Sequence, residues 1–224
     1  MTMRSIVKKR GYKIMNVLSK ILEYKIIAII RGSKAADVLS IAKALNKGGI
    51  KVLEVTMNSP KALSVIEELT CEFGDEVIIG AGTVLDPQTA RSALLAGAKF
   101  ILSPTVDAET IKMTKRYGAV SIPGAFTPTE ILKAFESGGD IIKVFPISCV
   151  GPSYIKDIKG PLEQIPLLAT GGINLDNIGT YIKCGSAGLG LGSSLVNSKF
   201  TVNEEYLNEL TEKAIKFVNK INSI

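Results

Sequence analysis

The sequence predicts an α/β fold, a (β/α)8 TIM barrel with an additional N-terminal helix, on three observations. From Ile26 onward, apolar runs of strand length alternate with longer stretches whose apolar residues recur at the helical period. Several of those longer stretches end in a glycine that leads straight into the next apolar run, at Gly48, Gly97, Gly138 and Gly185, where glycine relieves the left-handed conformation in which helices commonly end. The interval between these glycines holds about two strand-plus-helix units, so four periods hold eight. Finally, no linker rich in Pro, Gly or Ser divides the 224 residues, a length suited to one small barrel. An open doubly wound sheet is the alternative arrangement of the same units.

In chain order, the strands are expected at Ile26–Ile30, Lys51–Thr56, Val77–Ala81, Phe100–Leu102, Ala119–Ile122, Ile141–Phe145, Leu167–Thr170 and Ala187–Leu191. Between them lie amphipathic helices, among them Ala35–Asn46, Lys61–Phe73, Pro87–Leu95, Pro128–Glu136 and Leu175–Lys183. Asn16–Tyr24, ahead of the first strand, reads as the extra helix, placed to plug the bottom of the barrel. The domain is expected over residues 15–224, preceded by a basic extension over residues 1–14.

That extension accounts for most of the net charge of +6, because Arg4, Lys8, Lys9, Arg10 and Lys13 sit in it without an acid. The remainder lies within one charge of neutral, so the basic run reads as a solvated tail and no nucleic-acid partner is expected. Met15, just before the extra helix, is a candidate start of translation. No apolar stretch is long enough to span a bilayer, so no membrane partner is expected. Cys71, Cys149 and Cys184 form no C-x-x-C pair and no even disulfide set, which suits a cytoplasmic location.

The chain contains no histidine. Imidazole acids and bases, Ser-His-Asp triads and His-ligated zinc are therefore excluded, and proton chemistry falls to Glu, Asp, Lys, Tyr or Cys. Two charges stand out because they interrupt apolar strands. Glu54 shares a strand face with Val52 and Thr56, and Lys143 shares one with Ile141 and Phe145. A charge so placed faces solvent at a sheet edge, or it is paired, neutralised or opened to a cavity. A closed barrel has no edge, so an acid and a lysine together point to a shared site. A desolvated lysine becomes a neutral amine that adds to a carbonyl, and the protonated imine draws electrons from the adjacent carbon. A C–C bond can then break without a metal or organic cofactor, while a carboxylate moves the protons.

Active sites of barrels form at the C-terminal ends of the strands. Thr170, Gly171 and Gly172, followed by Asn174 as N-cap of a helix from Leu175, suggest an anion site at one such end. Gly188, Gly190 and Gly192, followed by Ser193 and Ser194, suggest the same at the next; tight turns are the plainer reading of both runs. Arg31 ends the first strand and is either a carboxylate clamp or a surface residue. Gly80, Gly82 and Thr83 end the third strand, where missing side chains would let substrate approach the backbone. Ser103-Pro104 and Pro123-Gly124 break the fourth and fifth strands. Phe145 packs over a bound substrate or belongs to the core.

Together these residues resemble the class I 2-keto-3-deoxy-6-phosphogluconate (KDPG) and 4-hydroxy-2-oxoglutarate (KHG) aldolase family, including its 6-phosphogalactonate branch. The likeness runs roughly from Asn16 to Asn219. It includes, in order, Leu53-Glu54-Val55-Thr56, Gly80-Ala81-Gly82-Thr83-Val84, Ser103-Pro104, Pro123-Gly124 with Thr127-Pro128-Thr129-Glu130, Ile142-Lys143-Val144-Phe145-Pro146, Thr170-Gly171-Gly172 and Gly190-Leu191-Gly192-Ser193. The resemblance implies that Lys143 is the Schiff-base lysine and Glu54 the acid/base, with Thr83 and Pro104 bordering the pyruvyl group and Gly171, Gly172 and Ser193 holding phosphate. Phe145, Thr170 and Gly192 complete the candidate substrate-binding set. It further implies no metal and no cofactor, a phosphorylated keto-sugar acid as the small-molecule partner, and a homotrimer. One departure concerns the substrate: many gluconate-type members carry an arginine four residues after the glutamate, where this chain has Asn58, then Ser59 and Pro60. Asn58-Ser59-Pro60 looks more like the phosphogalactonate branch, and Arg31 is the candidate for the missing positive charge. A metal-dependent pyruvate aldolase and a non-catalytic phosphate-binding barrel are the readings from other classes.

Overall fold

The computed structural model describes residues 17–224, so the basic extension expected over residues 1–14 lies outside them. A helix through residues 17–24 (α1) precedes β1 (Ile26–Ile30), and β/α units follow: α2 (Ala35–Lys47), β2 (Val52–Thr56), α3 (Ala62–Phe73), β3 (Ile78–Gly82), α4 (Pro87–Leu95), β4 (Phe100–Leu102) and α5 (Ala108–Arg116). The second half runs β5 (Val120–Ile122), β6 (Gly124–Ala125), α6 (Pro128–Glu136), β7 (Ile142–Val144), a 3-10 turn (Ile147–Cys149), α7 (Pro152–Lys159), β8 (Leu167–Thr170), α8 (Ile178–Lys183), β9 (Gly188–Leu191) and α9 (Glu204–Asn222). All pairings are parallel, in the order β5-β4-β3-β2-β1-β9-β8-β7-β6. Among the described residues no helix is long and apolar enough to cross a membrane.

Among the described residues nine strands stand where eight were expected, because Pro123, which has no N–H to donate, interrupts the fifth. The two pieces form one barrel position: β5 pairs with β4, and β6 pairs with β7. Backbone hydrogen bonds carry the closure across the break, from Ile141 N to Ser121 O (3.4 Å), Lys143 N to Pro123 O (2.9 Å) and Phe145 N to Ala125 O (3.1 Å). The sheet ends therefore meet in a single interrupted strand, and the barrel, not the open sheet, is the architecture.

Closure sorts side chains into two cores. Ile27, Val52, Ile78, Phe100, Val120, Ile141 and Leu168 point inward, and Ile21 of α1 joins them at 1 % exposure. Most of these are the first inward residues of their strands, so α1 plugs the N-terminal end, as expected. The alternate residues, such as Leu53, Val55, Ile142 and Val144, pack outward under the helices. One step further up the inward faces of β2, β7 and β8 come Glu54, Lys143 and Thr170, at the open end.

Helix starts follow their caps. Asp86 accepts from Thr89 N (2.6 Å) ahead of Pro87, and Thr127 forms a capping box with Glu130 ahead of Pro128. The glycine pattern needs one correction. The positive φ after α2 falls on Gly49 (+90°), not Gly48, whose φ is −78°. Gly48 is required for a different reason: a Cβ there would stand 2.4 Å from Ala214 Cβ on α9. A second correction concerns Asn174. Its side chain accepts from Asp176 N and Asn177 N (2.9 and 3.1 Å) in a separate turn, and α8 begins only at Ile178. Those N–H groups are satisfied internally, and a helix this short supplies no N-terminal anion site.

Candidate active site

Lys143 is 3 % exposed and Glu54 0 % exposed, the two inward charges of the barrel's upper layer. Burial pushes the Lys143 ammonium below the usual lysine range; the field of Glu54 opposes that shift and the field of Arg31 adds to it. Burial likewise pushes the Glu54 carboxyl above its ordinary 4.5, against the opposing fields of Lys143 and Arg31. The two groups sense each other without forming a direct ion pair. Lys143 Nζ lies 4.6 Å from the centre of the Phe145 ring, and neither Glu54 oxygen has a hydrogen-bond partner among the described residues. A buried carboxylate left in that state is costly, so it marks a site kept for chemistry more than for stability.

Gly82 makes the glutamate's position possible. A Cβ on Gly82 would stand 1.6 Å from Glu54 Oε1. The gap expected at Gly82 is thus filled by Glu54, and that at Gly80 by the Phe100 ring, which would meet a Cβ at 2.4 Å. Neither is open to substrate. Gly82→Ala should therefore displace the carboxylate, lowering turnover and costing about 1–3 kcal/mol of stability by overpacking. Gly192→Ala, where a Cβ meets open space, should leave the denaturant midpoint nearly unchanged. Comparing the two midpoints, with turnover of the first, checks this; an unaltered Gly82→Ala protein would contradict it.

A cavity of about 320 Å³ opens over Lys143. Its walls bring together Arg31, Lys143 and Phe145 with Thr170, Gly171 and Gly172 from the end of β8, and Gly192 and Ser193 from the end of β9. Glu54, Thr83 and Pro104 are not part of that lining. Glu54 lies deeper. Thr83, at φ +57°, is reached from the cavity by Arg31, whose Nη2 donates to Thr83 Oγ1 at 3.3 Å. Pro104 is half-buried, and its carbonyl group faces Gly124 so closely that a Cβ there would approach it to 2.4 Å. Thr170 Oγ1 is buried without a partner beside Gly190, where a Cβ would come within 2.5 Å of it. Among the β9 glycines of the expected turn, Gly188 and Gly190 are strand residues that accommodate Leu168 and Thr170, and only Gly192 faces open space.

Several contributors were not anticipated from the sequence. Asn197, Ser198 and Lys199 line the cavity alongside Ser194, which the sequence did place in the turn after β9. Ser59 accepts from Gly32 N (2.9 Å) and bonds Thr56 Oγ1 (2.9 Å), fixing the turn that carries Arg31. The Asn58-Ser59-Pro60 segment was noted in the sequence, but the contact across to Gly32 depends on β1 and β2 being neighbours. Among the described residues no group of three His, Cys, Asp or Glu side chains is placed to hold a metal ion.

A lysine whose burial favours the neutral amine, a carboxyl close enough for its charge to act on that lysine, and a cavity opening over the lysine are what imine chemistry on a carbonyl needs, and within a closed β/α barrel they define a class I aldolase, a carbon–carbon lyase. The family model described as KDPG and KHG aldolase matches residues 17–212, and the chain belongs to that family. It is 37 % identical over 171 residues, 76 % of this chain and 83 % of the relative, to the 2-dehydro-3-deoxy-6-phosphogalactonate aldolase of Escherichia coli. It is 35 % identical over 161 residues, 71 % and 73 % of the two chains, to the 2-dehydro-3-deoxy-phosphogluconate aldolase of Pseudomonas aeruginosa. Its fold matches the KDPG aldolase of Legionella pneumophila, solved with pyruvate captured as a covalent carbinolamine, with a TM-score of 0.79 and 32 % identity over 86 % of this chain and 93 % of that one.

Proposed function

We propose that this aldolase cleaves 2-keto-3-deoxy-6-phosphogluconate, with 4-hydroxy-2-oxoglutarate as a smaller substrate, to pyruvate and an aldehyde such as glyceraldehyde 3-phosphate. The observation that carries the reading is Lys143: a buried ammonium, pushed toward its neutral form, opening on the cavity with no carboxylate among the described residues bound to it. Neutral Lys143 Nζ adds to the C2 keto carbon, and the carbinolamine, on taking up a proton from solvent in the cavity, loses water to give the iminium. Glu54 takes the C4 hydroxyl proton, directly or through a water, as the C3–C4 electron pair moves into the iminium. The aldehyde leaves, the enamine is reprotonated at C3 by the Glu54 carboxylic acid, and hydrolysis frees pyruvate and Lys143.

In this reading Arg31 takes the substrate carboxylate, with Thr83 and Pro104 beside the pyruvyl end. Phe145 and Thr170 wall the reacting carbons, and Gly171, Gly172, Gly192 and Ser193 take the phosphate. The 6-phosphogalactonate epimer is the second reading, favoured by Asn58-Ser59-Pro60 and by the Escherichia coli relative. Pyruvate release from the two epimers and from 4-hydroxy-2-oxoglutarate, with and without EDTA, tests both. Cleavage of a phosphorylated epimer that survives EDTA is expected; cleavage abolished by the chelator would overturn the imine reading in favour of a metal-dependent aldolase. The assembly we propose is a homotrimer, which light scattering would measure, and the free thiols of Cys71, Cys149 and Cys184 suit the cytoplasm.

A further inference from the structure

Among the described residues, every charged side chain lining the cavity is a cation: Arg31, Lys143 and Lys199. Lys143 is reserved for the carbonyl, and Arg31 leans toward the end of β3 through its hydrogen bond to Thr83. Lys199 stands on the other wall, beyond the Gly192-Ser193-Ser194 turn, and forms no ion pair among the described residues. The segment that carries it is held in place. Asn197 Oδ1 accepts from Lys199 N (3.1 Å), the Asn197 N–H donates to the Tyr206 hydroxyl (3.3 Å), and that hydroxyl donates to Asn197 O (3.4 Å). The Phe200 ring of the same turn lies 6.0 Å from the ring of Tyr206 on α9. The turn therefore presents a lysine to the cavity from an anchored backbone.

We propose that Lys199 is a specificity-determining residue that selects substrates ending in a phosphate, its ammonium closing over the anion that the Gly172 and Ser193 turns cradle. A lysine here acts as a point charge on phosphate, with no bidentate geometry. The inference rests on the proposed aldolase reading and assigns the discrimination between phosphorylated and unphosphorylated keto acids to one side chain. For Lys199→Gln, the ratio of kcat/KM on the phosphorylated epimer to kcat/KM on 4-hydroxy-2-oxoglutarate should fall about tenfold, the scale of a hydrogen bond to a charged group. The loss should lie in KM more than kcat, and Lys199→Arg should restore most of it. Raising the ionic strength should weaken wild-type binding of the phosphorylated substrate more than that of the variant. A ratio unchanged in Lys199→Gln, while wild type cleaves the phosphorylated epimer, would overturn this inference alone. A wild-type protein that cleaves only the unphosphorylated acid would overturn the phosphorylated-substrate reading and the inference with it.

Discussion

Lys143→Met is expected to remove cleavage altogether while leaving the barrel folded. Methionine has no amine that can form an imine, and the other cations lining the cavity among the described residues are Arg31, whose delocalised guanidinium is a poor nucleophile, and Lys199, which is exposed beyond the Gly192-Ser193-Ser194 turn. Enzymes accelerate their reactions by about 10⁶-fold or more, so the loss should read as at least about 10⁴-fold in kcat/KM. The fold should survive, because a buried ammonium already resists burial and an apolar side chain of similar length fits the same inward position of β7. Below the lowered pKa of the folded protein, wild type carries the cost of a buried charge; that cost fades as pH rises through it. The variant should therefore be no less heat-stable than wild type in mildly acidic buffer, with a native near-ultraviolet spectrum. Residual turnover within tenfold of wild type, from a folded variant, would contradict the assignment.

Glu54→Gln should separate imine formation from proton transfer. Glutamine keeps the shape against Gly82 but takes no proton, so turnover should fall by about 10²–10⁴-fold. Glu54 raises the Lys143 pKa through its charge, so removing it lets the amine stay neutral to lower pH. Pyruvate adducts should still form, and should extend further into acid than in wild type. Wild-type activity should rise with pH through the depressed Lys143 pKa and the raised Glu54 pKa, since one group must be neutral and the other ionised. Stability carries the opposite sign for Glu54: its pKa lies above the ordinary 4.5, so its contribution is fully present below 4.5 and is lost as pH rises through the folded value. Glu54→Gln should gain stability over wild type across that rise, seen as a widening gap in melting temperature. Unchanged turnover would remove Glu54 from the mechanism.

The barrel was legible because its strands are buried on both faces and read as apolar runs, against which Glu54 and Lys143 stand out as the charges that break the pattern. The repeat of glycines was legible for the same local reason, although at α2 the left-handed residue is Gly49 and Gly48 answers to α9 instead. What the sequence concealed depends on which strands become neighbours. Gly80 and Gly82 look like open floor until Phe100 and Glu54 are found filling them. Gly188 and Gly190 look like a phosphate turn until Leu168 and Thr170 occupy their space. Lys199 carries no local signal, since only the contact between Asn197 and Tyr206 on α9 sets it over the cavity.

Borohydride reduction of wild-type protein in the presence of pyruvate, followed by intact mass and peptide mapping, tests directly whether Lys143 forms the imine. One reduced pyruvyl adduct per chain is expected, on Lys143, with loss of activity in proportion to labelling. An adduct on another lysine, or a fully active protein with no adduct, would contradict it.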